Sequence, residues 1–84
     1  MSLSIQDLKV GDAARVQGFD KANPGSRAYR QKLLAMGLTP GVEFVVTRVA
    51  PMGDPVEIRV RGFSLSLRKD EAAALIVERS GDGA

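Results

Sequence analysis

Tyr29-Arg30-Gln31-Lys32-Leu33-Leu34-Ala35-Met36-Gly37-Leu38-Thr39-Pro40-Gly41 reads as a helix, its stop signal and the turn that launches a strand. Tyr29, Leu33 and Met36 recur at i, i+4 and i+7, so they share one helical face. Gly37 stands where a left-handed C′ residue is wanted, since glycine has no Cβ to clash at positive φ. With Gly37 at C′, Leu38 is C″ and Leu33 is C3, the apolar pair that accompanies a Schellman ending. Pro40-Gly41 fits the two central positions of a type II turn, with proline fixing φ and glycine accepting a positive one. Every residue from Gly37 to Gly41 thus has a conformational role, and the helix leaves the following strand at a fixed angle.

Upstream, two helix starts compete: Asn23 as N-cap with Pro24 at N1, or Ser26 as N-cap. The first gives a helix over about residues 24–36 and is preferred. Before the 20–26 loop, Ala13 to Phe19 reads as a strand with Ala14, Val16 and Gly18 on one face. Ser4-Ile5-Gln6-Asp7 matches a capping pattern for a single helical turn, with Ile5, Leu8 and Val10 pointing inward and a turn at Gly11-Asp12. Downstream, Val42 to Ala50 is rich in β-branched residues and reads as the longest strand. A loop with Pro51, Gly53 and Pro55 follows. Val56, Ile58 and Val60 then alternate with Glu57, Arg59 and Arg61, a strand with one dry and one wet face. Gly62-Phe63 marks a turn, Ser64 to Arg68 alternates again, Lys69 to Ala73 suits one helical turn, and Leu75 to Val77 closes the sheet. The expected fold is mainly β: a small SH3-like β-barrel of about five strands with one inserted α-helix. Residues 1–79 form a single domain, and 80–84 form a disordered tail.

The composition excludes several classes of function. The chain has 84 residues, one domain's worth, with no cysteine and no histidine. Disulfides, thiolate metal sites, imidazole ligands and the usual general base near neutral pH are all ruled out. Metal ligation would rest on scattered carboxylates, of which only Asp70 and Glu71 are adjacent, and borderline transition metals prefer sulfur and nitrogen donors. No phosphate-cradling glycine loop of the P-loop kind occurs. The sequence therefore predicts no enzyme, no cofactor and no intrinsic metal site. No stretch approaches a membrane span and no signal peptide is visible, so a cytoplasmic location without direct membrane insertion is expected. The net charge of +2 at pH 7 is too weak to imply nucleic acid. Arg59, Arg61, Arg68 and Lys69 read either as a basic strand face or as ordinary solvated surface.

Two features point to a partner. Arg27, Arg30 and Lys32 are basic and residues 24–36 contain no acid. At 100° per residue, Arg27, Arg30 and Leu34 fall together beside the Tyr29/Leu33/Met36 face. Arginines flanking a leucine outside the core stripe suit a protein interface. The alternative is that Leu34 widens the buried face and the cations are solvated. Met52, held between Pro51 and Pro55, reads either as an adaptable apolar tip for a partner pocket or as a plug for one end of the barrel.

The order of motifs goes further. Ala28-Tyr29-Arg30-Gln31-Lys32-Leu33-Leu34-Ala35-Met36-Gly37-Leu38-Thr39-Pro40-Gly41, then Arg48-Val49-Ala50-Pro51-Met52-Gly53-Asp54-Pro55-Val56, then Leu65-Ser66-Leu67-Arg68-Lys69 together closely resemble the ferrous iron transport protein A (FeoA) family. The resemblance runs over residues 3–78. It implies the SH3-like barrel with an inserted helix. It also implies an accessory of FeoB, a ferrous iron permease with a cytoplasmic GTP-binding domain, which would bring the chain to the inner face of the membrane. Docking on FeoB, to regulate or assemble it, is the expected function. Self-association as a scaffold or metal-responsive regulator is the second reading, and nucleic-acid binding a third that is not expected. The resemblance supplies no functional residues, so Arg27, Arg30, Leu34 and Met52 rest on the sequence pattern alone.

Overall fold

The helix stop forms as its residues dictate. In a computed structural model describing residues 3–20 and 26–80, Leu38 N–H donates to Leu33 C=O and Gly37 N–H to Leu34 C=O, both at 3.0 Å. Gly37 has φ +97°, and Leu33 and Leu38 are fully buried. This is the Schellman pair of bonds with its apolar contact. Gly41 has φ +94°, and Val42 N–H donates to Thr39 C=O at 3.1 Å, completing the type II turn. The turn is fastened to the first strand as well: Gly41 N–H donates to Val16 C=O at 2.7 Å, and Val16 N–H to Val42 C=O at 2.9 Å. The angle between helix and strand is therefore fixed by hydrogen bonds on both sides.

Around that joint the chain runs β1 (Ala13–Phe19), α1 (Ser26–Ala35), β2 (Glu43–Val49), β3 (Val56–Val60), β4 (Phe63–Leu67), α2 (Lys69–Ala73) and β5 (Leu75–Arg79), after a single 3-10 turn at Ile5–Asp7. The five strands form one antiparallel sheet in the order β4-β3-β2-β1-β5. The register shifts between Val16 and Gly18 in β1 against β5, and between Val46 and Arg48 in β2 against β3. Such bulges bend a sheet and raise its twist, which lets one face wrap a core. That core collects Ala14, Val16, Phe44, Val46, Ile58, Leu67, Leu75 and Val77 from the strands, Leu33 and Leu38 from the helix joint, and Ile5 from the opening turn. Tyr29 and Met36 pack against it half-buried, so the predicted core face of α1 is the observed one.

Four local expectations are corrected. Val10 does not point inward; it is 61% exposed. Asp12 N–H donates to Lys9 C=O at 2.9 Å, so Val10 occupies a turn position that projects from the surface. The turn after β3 is Arg61-Gly62, not Gly62-Phe63: both residues have positive φ, +50° and +89°, and Val60 pairs with Phe63. This is a two-residue turn of the I′ kind, whose twist matches the strands it joins. α1 ends at Ala35 rather than Met36, and β5 runs on to Arg79, with Ser80 N–H donating to Ala13 C=O at 3.0 Å. Of the expected 80–84 tail, Ser80 is instead tied to Ala13 by that bond, and residues 81–84, like the Asn23–Pro24 helix start, lie outside the described residues. The opening turn is as read: Ser4 Oγ accepts from Gln6 N–H at 3.2 Å, and Asp7 Oδ2 from Ser4 N–H at 3.0 Å.

Candidate docking surface

α1 has two faces with different fates. Tyr29, Leu33 and Met36 pack on the core, so the rest of the helix surface must meet solvent or a partner. Arg27 and Arg30 are exposed to one side of that face. The Arg30 guanidinium lies 5.8 Å from the centroid of the Phe19 ring, within range of a cation–π contact that orients the side chain without neutralising it. Leu34 is half-buried and stands outside the hydrophobics that pack on the core. The structure thus brings Arg27, Arg30 and Leu34 onto one helix flank, cations beside an accessible leucine.

Lys32, read as one of the solvated cations, has a structural task instead. Its Nζ donates to Glu71 Oε2, while Arg68 N–H donates to Glu71 Oε1 at 2.9 Å. Glu71 is the buried charged residue of the core region, 3% exposed. Burial pushes its carboxyl pKa up, but the Lys32 hydrogen bond, the Arg68 N–H and the two positive charges outweigh it and hold the group below its ordinary value. The pair ties α1 to α2 and so fixes the pose of the flank that carries Arg27, Arg30 and Leu34. Sequence reasoning missed it, because Lys69-Asp70-Glu71 reads as a solvated helix start. Its one local signal is glutamate at the third helical position, where a carboxylate reaches back to the N-cap N–H.

Met52 lies elsewhere. It is 91% exposed, so it does not plug the barrel. It overhangs a groove of about 260 Å³ lined by Ile5, Leu8, Val49, Val56 and Lys69 among others, none from α1. Val49, also exposed, belongs to this second surface, and sequence reasoning did not single it out. Its apolar neighbours are brought together only by the tertiary fold. Asp54, at the base of the same loop, accepts from Lys69 N–H at 3.0 Å, which fixes the loop on α2. The four residues predicted to bind a partner therefore form two separate surfaces.

Among the described residues no three acidic groups come together as a cation site, and no helix is long and apolar enough to cross a membrane.

The family model for the FeoA domain matches residues 1–79. The chain is 32% identical over 76 residues to the Fe(2+) transport protein A/Fe(2+) transporter FeoB fusion protein of Porphyromonas gingivalis, covering 90% of this chain and 8% of that protein. It therefore spans only a small part of that relative's length. Among solved structures, a FeoA-like protein from Clostridium acetobutylicum superposes with a TM-score of 0.81 at 35% identity, covering 99% of this chain and 92% of the other. The zinc complex of Stenotrophomonas maltophilia FeoA, described as a procaryotic SH3 domain protein, gives 0.75 at 22% identity, covering 90% and 89%. The SH3-like fold holds at both levels of similarity.

Proposed function

Because the chain belongs to the FeoA domain family, a family of non-catalytic accessory domains in ferrous iron transport, we propose that it docks on a FeoB-type iron permease and regulates or assembles it. The observation that carries this is the Porphyromonas gingivalis relative, in which transport protein A and the transporter FeoB are one polypeptide. Fusion holds two domains at high effective concentration, an arrangement suited to partners that also meet as separate chains. The flank of α1 supplies a fitting surface: Arg27 and Arg30 for acidic groups, and Leu34 for an apolar contact between them. Met52 and its groove supply a second, with methionine adapting to an irregular pocket.

Binding of this chain to full-length FeoB and to its cytoplasmic domain, each with GDP and with a GTP analogue, tests the reading. Arg30→Glu combined with Leu34→Ala is expected to abolish docking with the fold intact. Unchanged affinity in that double variant removes the α1 flank from the account. Binding that follows the bound nucleotide identifies a regulator of the GTP cycle. Binding to the full-length permease alone identifies an assembly role.

A further inference from the structure

The two outer strands of the sheet are treated differently. On the β5 side, Leu3 exchanges both backbone hydrogen bonds with Val77, at 3.0 and 2.8 Å, and Glu78 and Arg79 charge the strand end. On the β4 side no such cover exists among the described residues. β4 is Phe63-Ser64-Leu65-Ser66-Leu67: it has no charge, no proline and no register shift against β3. Those are the devices that normally keep an edge strand from pairing.

The register shows which groups β4 presents. A two-residue hairpin closes on a pair that exchanges both ladder bonds, so Val60–Phe63, Ile58–Leu65 and Val56–Leu67 use their groups within the sheet. Ser64 and Ser66 then turn their N–H and C=O outward. Both residues are exposed, and neither has a hydrogen bond on that side among the described residues. Beside them, Leu65 is half-buried and Phe63 is 48% exposed, its ring lying over Gly37.

The charge around this edge selects the occupant. Arg61 precedes β4, Arg68 and Lys69 follow it, and Arg59 stands opposite Ser64 on the wet face of β3. None of the four forms an ion pair among the described residues. Glu57, opposite Ser66, is the acid on the same face. A second copy pairing two-fold about Leu65 would set Arg61 of one chain against Lys69 and Arg68 of the other, like charge on like. We propose that the β4 edge accepts an extended segment of a partner protein as a sixth, antiparallel strand, alternating apolar and small residues between acidic flanks. Ser64 and Ser66 supply the backbone bonds, Phe63 and Leu65 receive the apolar side chains, and Arg59, Arg61, Arg68 and Lys69 receive the acids. This surface shares only Lys69 with the Met52 groove and nothing with the α1 flank, and its test below needs no permease, so it stands or falls independently of that docking.

The test uses the full chain and a fluorescent peptide, Asp-Glu-Val-Ser-Ile-Ser-Val-Asp-Glu, followed by anisotropy at low and high salt. Saturable binding that weakens with salt is expected, with the Ser64 and Ser66 amides newly protected from hydrogen exchange and those of Phe63, Leu65 and Leu67 unchanged. Ser66→Pro removes one outward N–H while leaving the β3 bonds in place, and is expected to lower affinity at least about tenfold. Arg61→Asn removes a charge and gives the hairpin its preferred Asn-Gly turn; it should bind about threefold more weakly in a domain at least as stable, which separates charge recognition from folding. A peptide with lysines in place of the acids should not bind. Failure of the acidic peptide to bind at low salt overturns the proposal, as does equal binding by wild type and a folded Ser66→Pro variant. A wild-type dimer that Ser66→Pro converts to a monomer also overturns it, by assigning the edge to a second copy. If Ser66→Pro does not fold, the Arg61→Asn affinity and the wild-type exchange pattern decide.

Discussion

Replacing Lys32 with methionine is the most informative single change to the fold. The substitution keeps an unbranched apolar stem of similar reach and deletes the ammonium that meets Glu71. The carboxylate stays buried, its side chain 4% exposed, with the Arg68 N–H as its remaining hydrogen-bond partner. An unpaired buried charge costs several kcal/mol when both partners are enclosed. Here the lysine side chain is 60% exposed and water reaches the gap, so the lower range applies: about 1–2 kcal/mol near neutral pH, or about 5–15 °C in Tm for a domain of this size. The pH dependence gives the reasoning its edge. In the wild type the folded pKa of Glu71 lies below its unfolded value of 4.5. Its contribution is therefore present above 4.5 and is lost as pH falls through the folded pKa. In Lys32→Met the burial cost loses its main compensation and the folded pKa rises, so the same group destabilises the variant above 4.5 and becomes neutral below it. Urea unfolding followed by circular dichroism should show the full gap at about pH 7 and a smaller one once the pH has fallen below 4.5. A gap of equal size at both values would mean that the lysine acts through packing of its stem, and would refute the electrostatic account.

Three further outcomes test the fold and its surfaces. Gly37→Ala should cost about 1–2 kcal/mol in the same denaturation assay; the new Cβ meets only Phe63 Cζ at 3.8 Å, so the loss comes from the +97° φ and not from a clash. Leu67→Ala should cost about 2–5 kcal/mol, since Leu67 is fully buried where β4 meets the core, and hydrogen exchange should accelerate first in the β3–β4 hairpin. Met52→Asp should leave the unfolding free energy within about 0.5 kcal/mol of wild type, because its side chain stands in solvent. The same variant should weaken binding to the permease; full binding would free the groove from any docking role.

What was readable from the chain alone follows from how local each determinant is. The stop at Gly37 and the turn at Pro40-Gly41 are decided within five residues, by backbone freedom and one apolar pair, and they form as read. The β3 and β4 alternations are equally local, because a period of two needs only neighbours. Val10 is not legible locally, because an apolar residue before a glycine looks like the end of an inward run, whereas the Lys9–Asp12 bond makes it a turn residue. Arg61 gave no turn signal, since arginine is not a residue of choice at positive φ; the ladder on both sides forces it there. Glu71 was the least legible. Its burial depends on Lys32, 39 residues away, and no window of sequence contains both. The candidate interface shows the same division: the angular clustering of Arg27, Arg30 and Leu34 is readable from helical periodicity, while the groove beneath Met52 and the uncovered β4 edge exist only once the sheet has formed.

The ion pairs explain how a nearly neutral chain offers cationic surfaces. Most described acids are engaged internally. Asp7 caps the opening turn, and Asp12 holds Lys9 N–H and meets Arg79. Glu43 and Glu78 both meet Arg15, Asp54 holds Lys69 N–H, and Glu71 holds Lys32. These contacts absorb negative charge but use the cations of only Arg15, Lys32 and Arg79. Arg27, Arg30, Arg48, Arg59, Arg61 and Arg68 form no ion pair among the described residues. The field that a partner meets is thus more positive than the net charge of +2 conveys, and it is concentrated on the α1 flank and around β4. Rim charges of this kind act mainly on the encounter rate, and they are screened over about 8–10 Å at moderate ionic strength. Raising salt should therefore slow association with the permease while leaving dissociation, governed by Leu34 and the apolar contacts, nearly constant. A salt effect confined to dissociation would instead place Arg27 and Arg30 inside desolvated pairs at the centre of the interface.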